Sequence, residues 1–188
     1  MKKKQLVIHY NAPVVLTFAF LSLAVLALDF LTGGASTMKY FCVYRASFTD
    51  PLTWARLFTH VLGHADYAHY ISNIMLMLVI GTTLEDKYGS KKLLLCIFIT
   101  AGVSGLVQMF LFPNTALLGA SGIVFMMIVL SSLSGMKNGS IPLTLILVVA
   151  LYLGGEVWDA VTLRDNVSQL THIVGGVCGA ALGLMMKR

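Results

Sequence analysis

The sequence predicts an all-α membrane protein, a bundle of six transmembrane helices with a long interfacial loop after the first. Three observations carry that expectation. Of 188 residues, 57% are hydrophobic and 11% charged, with a mean hydropathy of +0.84, whereas soluble domains carry about 25% charged residues. Apolar runs approaching the roughly 20 residues that cross a bilayer core recur along the chain. The net charge of +5 is gathered in short clusters, Lys2-Lys3-Lys4, Lys91-Lys92 and Lys187-Arg188. At the ends of apolar runs such clusters set topology rather than bind nucleic acid. Four prolines and no Ser/Gly-rich linker point to a single domain over 1-188.

The first span is expected at 13-31, ending near Asp29 and Gly33-Gly34. Its lysine-led approach resembles a signal peptide, but no small-residue cleavage site follows. A polar-mixed stretch, 32–68, then carries Lys39, Arg45, Asp50, Arg56 and Asp66 among Tyr40, Phe41, Phe48, Trp54 and Phe58. Connections this long are often functional, and aromatic residues mixed with basic ones suit a membrane interface. Further spans are expected at 69-84, 93-112, 116-133, 141-155 and 167-186, several short enough to imply tilt or a thinned bilayer. Six spans place the N-terminal lysines, Lys87, Lys91, Lys92, Lys137 and Lys187-Arg188 on one side. Both termini are therefore expected in the cytoplasm. Compactness and the lysine-led start favour a prokaryotic plasma membrane. Cys42, Cys96 and Cys178 are an odd count without metal or disulfide spacing, and small apolar packing is their default role.

The chemistry gathers around Leu118-Gly119-Ala120-Ser121-Gly122. A lone serine in a membrane helix usually bonds to a carbonyl one turn back. Here flanking glycines let another group approach closely, and the N–H groups of a helix start can stabilise a developing oxyanion. Such a serine needs an adjacent base. His172 is the one histidine in the second half of the chain, and Gly175 and Gly179 beyond it form a small-xxx-small face. Gly122 is the expected contact of that face. Taken alone, His172 reads as a satisfied histidine on a packed helix. His69 and Asn73, spaced i, i+4, share a helix face, and both can donate. Because spans two, four and six all begin on the outer side, these residues converge in depth. At 1.5 Å per residue, Ser121 and His172 would lie roughly 6 to 9 Å below their helix starts. That convergence favours a Ser-His dyad with nearby donors. His60, His64 and His69 with Asp66 invite a zinc reading. Without a His-Glu-x-x-His pattern, a hydrogen-bonded interfacial cluster is preferred. No pair of intramembrane aspartates supports an aspartyl mechanism.

Those residues give the chain a family likeness: it resembles the rhomboid intramembrane serine proteases over about 54–183. The matching pieces, in order, are Arg56-Leu57-Phe58-Thr59-His60, His64, His69-x-x-x-Asn73, Glu85-x-x-x-Gly89, Gly119-Ala120-Ser121-Gly122 and His172-x-x-Gly175-x-x-x-Gly179. The resemblance implies a six-helix fold with Ser121 as nucleophile and His172 as general base. It implies an oxyanion hole from His69, Asn73 and the Ser121 backbone. Glu85 would be structural near the cytoplasmic side, and the loop around Arg56 would lie partly in the outer leaflet. Substrates would be single-pass transmembrane proteins, cut after local helix unwinding, with small residues before the cut. No metal or organic cofactor is implied. Three positions depart from the family's habit: Ala55 separates Trp54 from Arg56, Leu118 stands where glycine is common, and Phe125 replaces a frequent tyrosine. None removes a catalytic atom.

Two other readings compete. One is a catalytically silent scaffold that binds membrane clients. The other is a small transporter, which predicts inverted repeats that the two halves do not show. Asp159 and Asp165 fall too near the loop after the fifth span to be expected to orient His172.

Overall fold

A computed structural model describes residues 8–135, 140–141, 143–148, 150 and 166–186. Among them the regular elements are helical, and pairing of β type is confined to one isolated antiparallel bridge, Val43 with Leu117. The elements run α1 (Pro13–Thr32), α2 (Ala35–Tyr40), α3 (Pro51–Thr59) and a 3₁₀ turn (His60–Leu62). Then come α4 (Tyr67–Leu76), a π-helical turn (Met77–Gly81), α5 (Thr82–Tyr88) and α6 (Ser90–Leu111). α7 (Ser121–Ser134), α8 (Leu143–Val148) and α9 (Asn166–Met185) complete the described helices.

Three of these helical stretches are long and apolar enough to cross a membrane: Pro13–Thr32, Tyr67–Tyr88 and Ser90–Leu111. Ser121–Ser134 and Leu170–Met185 are shorter and apolar. Of the expected span 141-155, Leu143–Val148 is helical, and most of the rest lies outside the described residues. So do Lys137, Asp159, Asp165 and both terminal basic clusters. α7 sits at the centre, with Gly122 to Val124 and Met126 to Leu130 all buried; a helix apolar on every side belongs inside a bundle. α1 and α6 lie outside it. Phe20, Phe30, Leu95 and Phe110 are exposed on them, a surface that suits acyl chains and would be a liability in water.

Two boundaries differ from the sequence reading. The second span is longer than 69-84, because Asp66 caps its start and Gly89, at φ +82°, ends it. The fourth helix begins at Ser121 rather than at 116. Leu117 is held in the bridge to Val43, and Gly119 takes φ +116°, a left-handed conformation that no helix accommodates. Ser121 is therefore the first residue of its helix, not a point 6 to 9 Å inside it.

The helix ends are tied by charged side chains from elsewhere in the chain. α1 starts after Ala12, which has no capping oxygen. Glu85 supplies one instead: its carboxylate accepts from the N–H groups of Val14 (2.9 Å) and Val15 (3.0 Å) and from the Ser90 hydroxyl (2.7 Å). A carboxylate at a helix N-terminus is favourable on both capping and dipole grounds. Lys87 Nζ donates to the Ser134 carbonyl at 2.6 Å, completing the C-terminus of α7 at the end of the bundle away from Ser121. In the first loop, buried Arg56 donates from Nε to the Lys39 carbonyl (2.8 Å), lies 3.7 Å from Asp50 and covers the Tyr44 ring.

Candidate active site

α7 and α9 meet backbone to backbone, and glycines permit it. A Cβ at Gly175 would run into the Gly122 carbonyl, and one at Gly179 into that of Met126. One turn further, a Cβ at Gly183 would stand 2.9 Å from Leu133 Cδ1 and 3.3 Å from Leu130 Cδ1. Gly175, Gly179 and Gly183 repeat every four residues on α9, the pattern that brings membrane helices into close contact. Gly122 faces inward as well, with Thr171 Cγ2 3.1 Å from its Cβ position. This seam carries His172 to α7, where its ring stacks on Phe125 at 4.3 Å and 5°. Phe125 lies one turn after Ser121, on the same face.

α4 brings the other pair. Asp66 caps it, accepting from the His69 N–H at 2.7 Å, so His69 occupies the first turn. The Ala65 N–H donates to His69 Nδ1 at 3.4 Å, and an accepting Nδ1 leaves the proton of the neutral ring on Nε2. That nitrogen faces Gly119, whose missing Cβ would stand 2.9 Å from it. Asn73 Nδ2 donates to the His69 carbonyl at 2.9 Å, using one of its two hydrogens. Ser121 follows Ala120, which gives no side-chain cap. The first N–H groups of α7 therefore have no helical acceptor.

His69, Ser72, Asn73, Leu76, Ser121, Val124, Phe125 and His172 line one cavity of about 310 Å³. The four residues singled out for chemistry thus share a wall. Ser72 and Leu76 were not singled out. The signal for them was present, since positions three and seven beyond His69 fall on its helix face. Phe125, in place of the family's frequent tyrosine, keeps the ring that stacks on His172. His60 and His64 stand behind this cavity and do not line it. Both are buried; His60 Nδ1 pairs with the Arg56 carbonyl (3.1 Å) and His64 Nδ1 with that of Leu62 (3.2 Å). Burial pulls each imidazole down to about 4, so both are neutral at physiological pH. His64 meets the His69 ring edge-on at 5.1 Å. Of the remaining candidates, Cys42 is buried, and its thiol is pushed up to about 11 chiefly by desolvation, which keeps it from acting as a nucleophile.

Together these features define a multi-pass helical membrane protein in which a serine, two histidines and an asparagine line one cavity. The Rhomboid domain profile matches residues 51–188, and the chain belongs to the rhomboid family. Among its relatives, the rhomboid protease GluP of Bacillus subtilis (strain 168) is 28% identical, covering 97% of this chain and 38% of that protein. The rhomboid protease GlpG of Pectobacterium atrosepticum is 27% identical over 89% of this chain and 60% of its own length. The rhomboid-like protease 3 of Toxoplasma gondii is 35% identical over 42% of this chain and 29% of that protein. The chain thus spans less than two thirds of the length of each of these relatives.

Proposed function

We propose that this protein is an intramembrane serine endopeptidase working through a Ser121–His172 dyad, as one domain spanning the whole chain. His172 takes the proton from Ser121 Oγ as the oxygen attacks a peptide carbonyl. The tetrahedral oxyanion is then met by the Ser121 N–H, by Nε2–H of His69 and by the second hydrogen of Asn73 Nδ2. His172 returns its proton to the leaving amine. Water, activated by the same histidine, releases the acyl group and restores the serine. Water is the only co-reactant this balance needs.

The observation that carries the reading is the common cavity: Ser121, His172, His69 and Asn73 all line it. Supporting it, the bond from Ala65 selects the His69 tautomer that can donate, and Phe125 fixes the plane of His172. Substrates are single-pass transmembrane proteins cut at or near the membrane, and both termini face the cytoplasm of a prokaryotic cell. A fluorophosphonate probe and a reconstituted transmembrane substrate test the assignment. Wild type is expected to be labelled and to cleave, and Ser121→Ala to do neither. A folded wild type that shows neither activity would point instead to a silent scaffold, and a Ser121→Ala protein that still cleaves would move the nucleophile elsewhere.

A further inference from the structure

We propose that the first loop acts as a backbone clamp on the segment before Ser121, with Val43 and His60 as positioning residues for the reaction. The inference rests on the Ser121 reading above. Residues 112–120 join α6 to α7; Ala120 already accepts from the Val124 N–H of α7, and three backbone hydrogen bonds hold Leu117 and Gly119 before it. The Val43 N–H donates to the Leu117 carbonyl, and the Leu117 N–H to that of Val43, both at 2.9 Å; the Gly119 N–H donates to the His60 carbonyl at 3.0 Å. All three partners come from the first loop and none from α7.

The clamp is itself anchored. Val43, Leu57, Met109 and Leu117 form a small buried cluster of their own. Arg45, two residues beyond Val43, donates from Nε to the Met109 carbonyl at 3.0 Å, where a cation also favours the C-terminus of α6. His60 is fixed by its ring bond to Arg56. Gly63 lets its turn lie against the Phe41 carbonyl, which a Cβ would strike. The clamped residue, Gly119, is the one with φ +116° and with His69 Cε1 2.8 Å from its Cβ position. Two residues on is the N–H of Ser121. A glycine has wide backbone freedom, so external bonds must hold the oxyanion donor in register with His69. Donors that act on the transition state change kcat rather than KM, which separates positioning from support of the fold.

The test uses the full chain in proteoliposomes. Val43→Pro removes the N–H given to Leu117. Gly63→Ala drives a Cβ into the Phe41 carbonyl and displaces the turn bearing the His60 carbonyl, while both N–H groups of the bridge remain in place as donors. Each is expected to lower kcat about 10- to 100-fold with KM within about twofold, and to speed hydrogen exchange in 112–121 while α6 is unchanged. Val43→Thr, nearly isosteric and with its N–H intact, should recover wild-type kcat. Leu93→Ala, in the core of α6, supplies a variant of lowered Tm; its kcat should stay at the wild-type level. The clamp is refuted if exchange in 112–121 is unaltered in both variants. It is equally refuted if their kcat falls no further than that of Leu93→Ala at matched Tm. Exchange decides the clamp without any activity, whereas absence of Ser121-dependent cleavage in wild type sinks the protease reading.

Discussion

Gly175→Ala adds one methyl group at the tightest point between α7 and α9. Its Cβ would stand 2.9 Å from the Gly122 carbonyl carbon and 3.1 Å from Gly122 Cα, with the carbonyl oxygen closer still. Ordinary contact begins near 3.4 Å, so relieving the carbon contact alone separates the helices by roughly 0.5 Å, and relieving the oxygen takes more. Both colliding groups are backbone, so no side chain can swing away. His172 lies one turn before Gly175 and moves with the helix, away from Ser121 and off the Phe125 ring. A displacement of about 1 Å costs on the order of 100-fold, and overpacking costs about 1–3 kcal/mol of stability. The expected result is a fall in kcat/KM of about 10- to 100-fold, with a lowered Tm. Gly176→Ala is the control: its Cβ would lie 3.8 Å from Val129 Cγ2, and alanine favours a helix by about 0.5–1 kcal/mol over glycine. Initial rates on a reconstituted transmembrane substrate and thermal unfolding in one detergent measure both. If the two alanine variants behave alike, the glycine seam does not hold the dyad together.

Other outcomes follow from the same geometry. Glu85→Ala strips the capping oxygens from Val14 and Val15 and the partner from Ser90; a loss of about 2–4 kcal/mol is expected, read as a lower unfolding midpoint. Gly119→Ala forces a side chain into φ +116° against the His69 ring, and should lower kcat by about 100- to 1,000-fold, the range for losing an oxyanion donor. For pH, His60 and His64 titrate near 4 when folded and near 6.5 when unfolded. The unfolded chain therefore binds more protons between those values. Stability should be constant above about pH 6.5 and fall as pH drops towards 4, by up to about 3 kcal/mol per histidine. His60→Gln or His64→Gln should flatten that fall, measured as Tm against pH.

How much of this was legible beforehand depends on whether the signal was local. Gly175-x-x-x-Gly179 announced a close helix contact, and Gly122 was its expected partner, because a four-residue repeat of small residues is a property of one helix face. His69 and Asn73 were paired by the same periodicity. Hydropathy starts the fourth helix too early, at 116, because it does not register a backbone turn. Ala116, Leu117 and Leu118 are apolar and read as span, yet Leu117 pairs with a residue 74 positions earlier. Glu85 looked structural through the family resemblance, but nothing near it in the chain indicates that it caps a helix beginning at Pro13.

The sequence by itself determined the class of protein, the apolar segments and the residues able to do chemistry, since composition and helical period act over a few turns. Only the tertiary structure decided what holds those residues. Phe125 under His172, Ala65 on the His69 ring, and Val43 with His60 behind Gly119 are contacts between segments or across turns. The bonds to Leu117 and Gly119 arise because a backbone N–H must find an acceptor wherever the fold offers one, and the ring contact arises because the glycine seam brings α9 against α7.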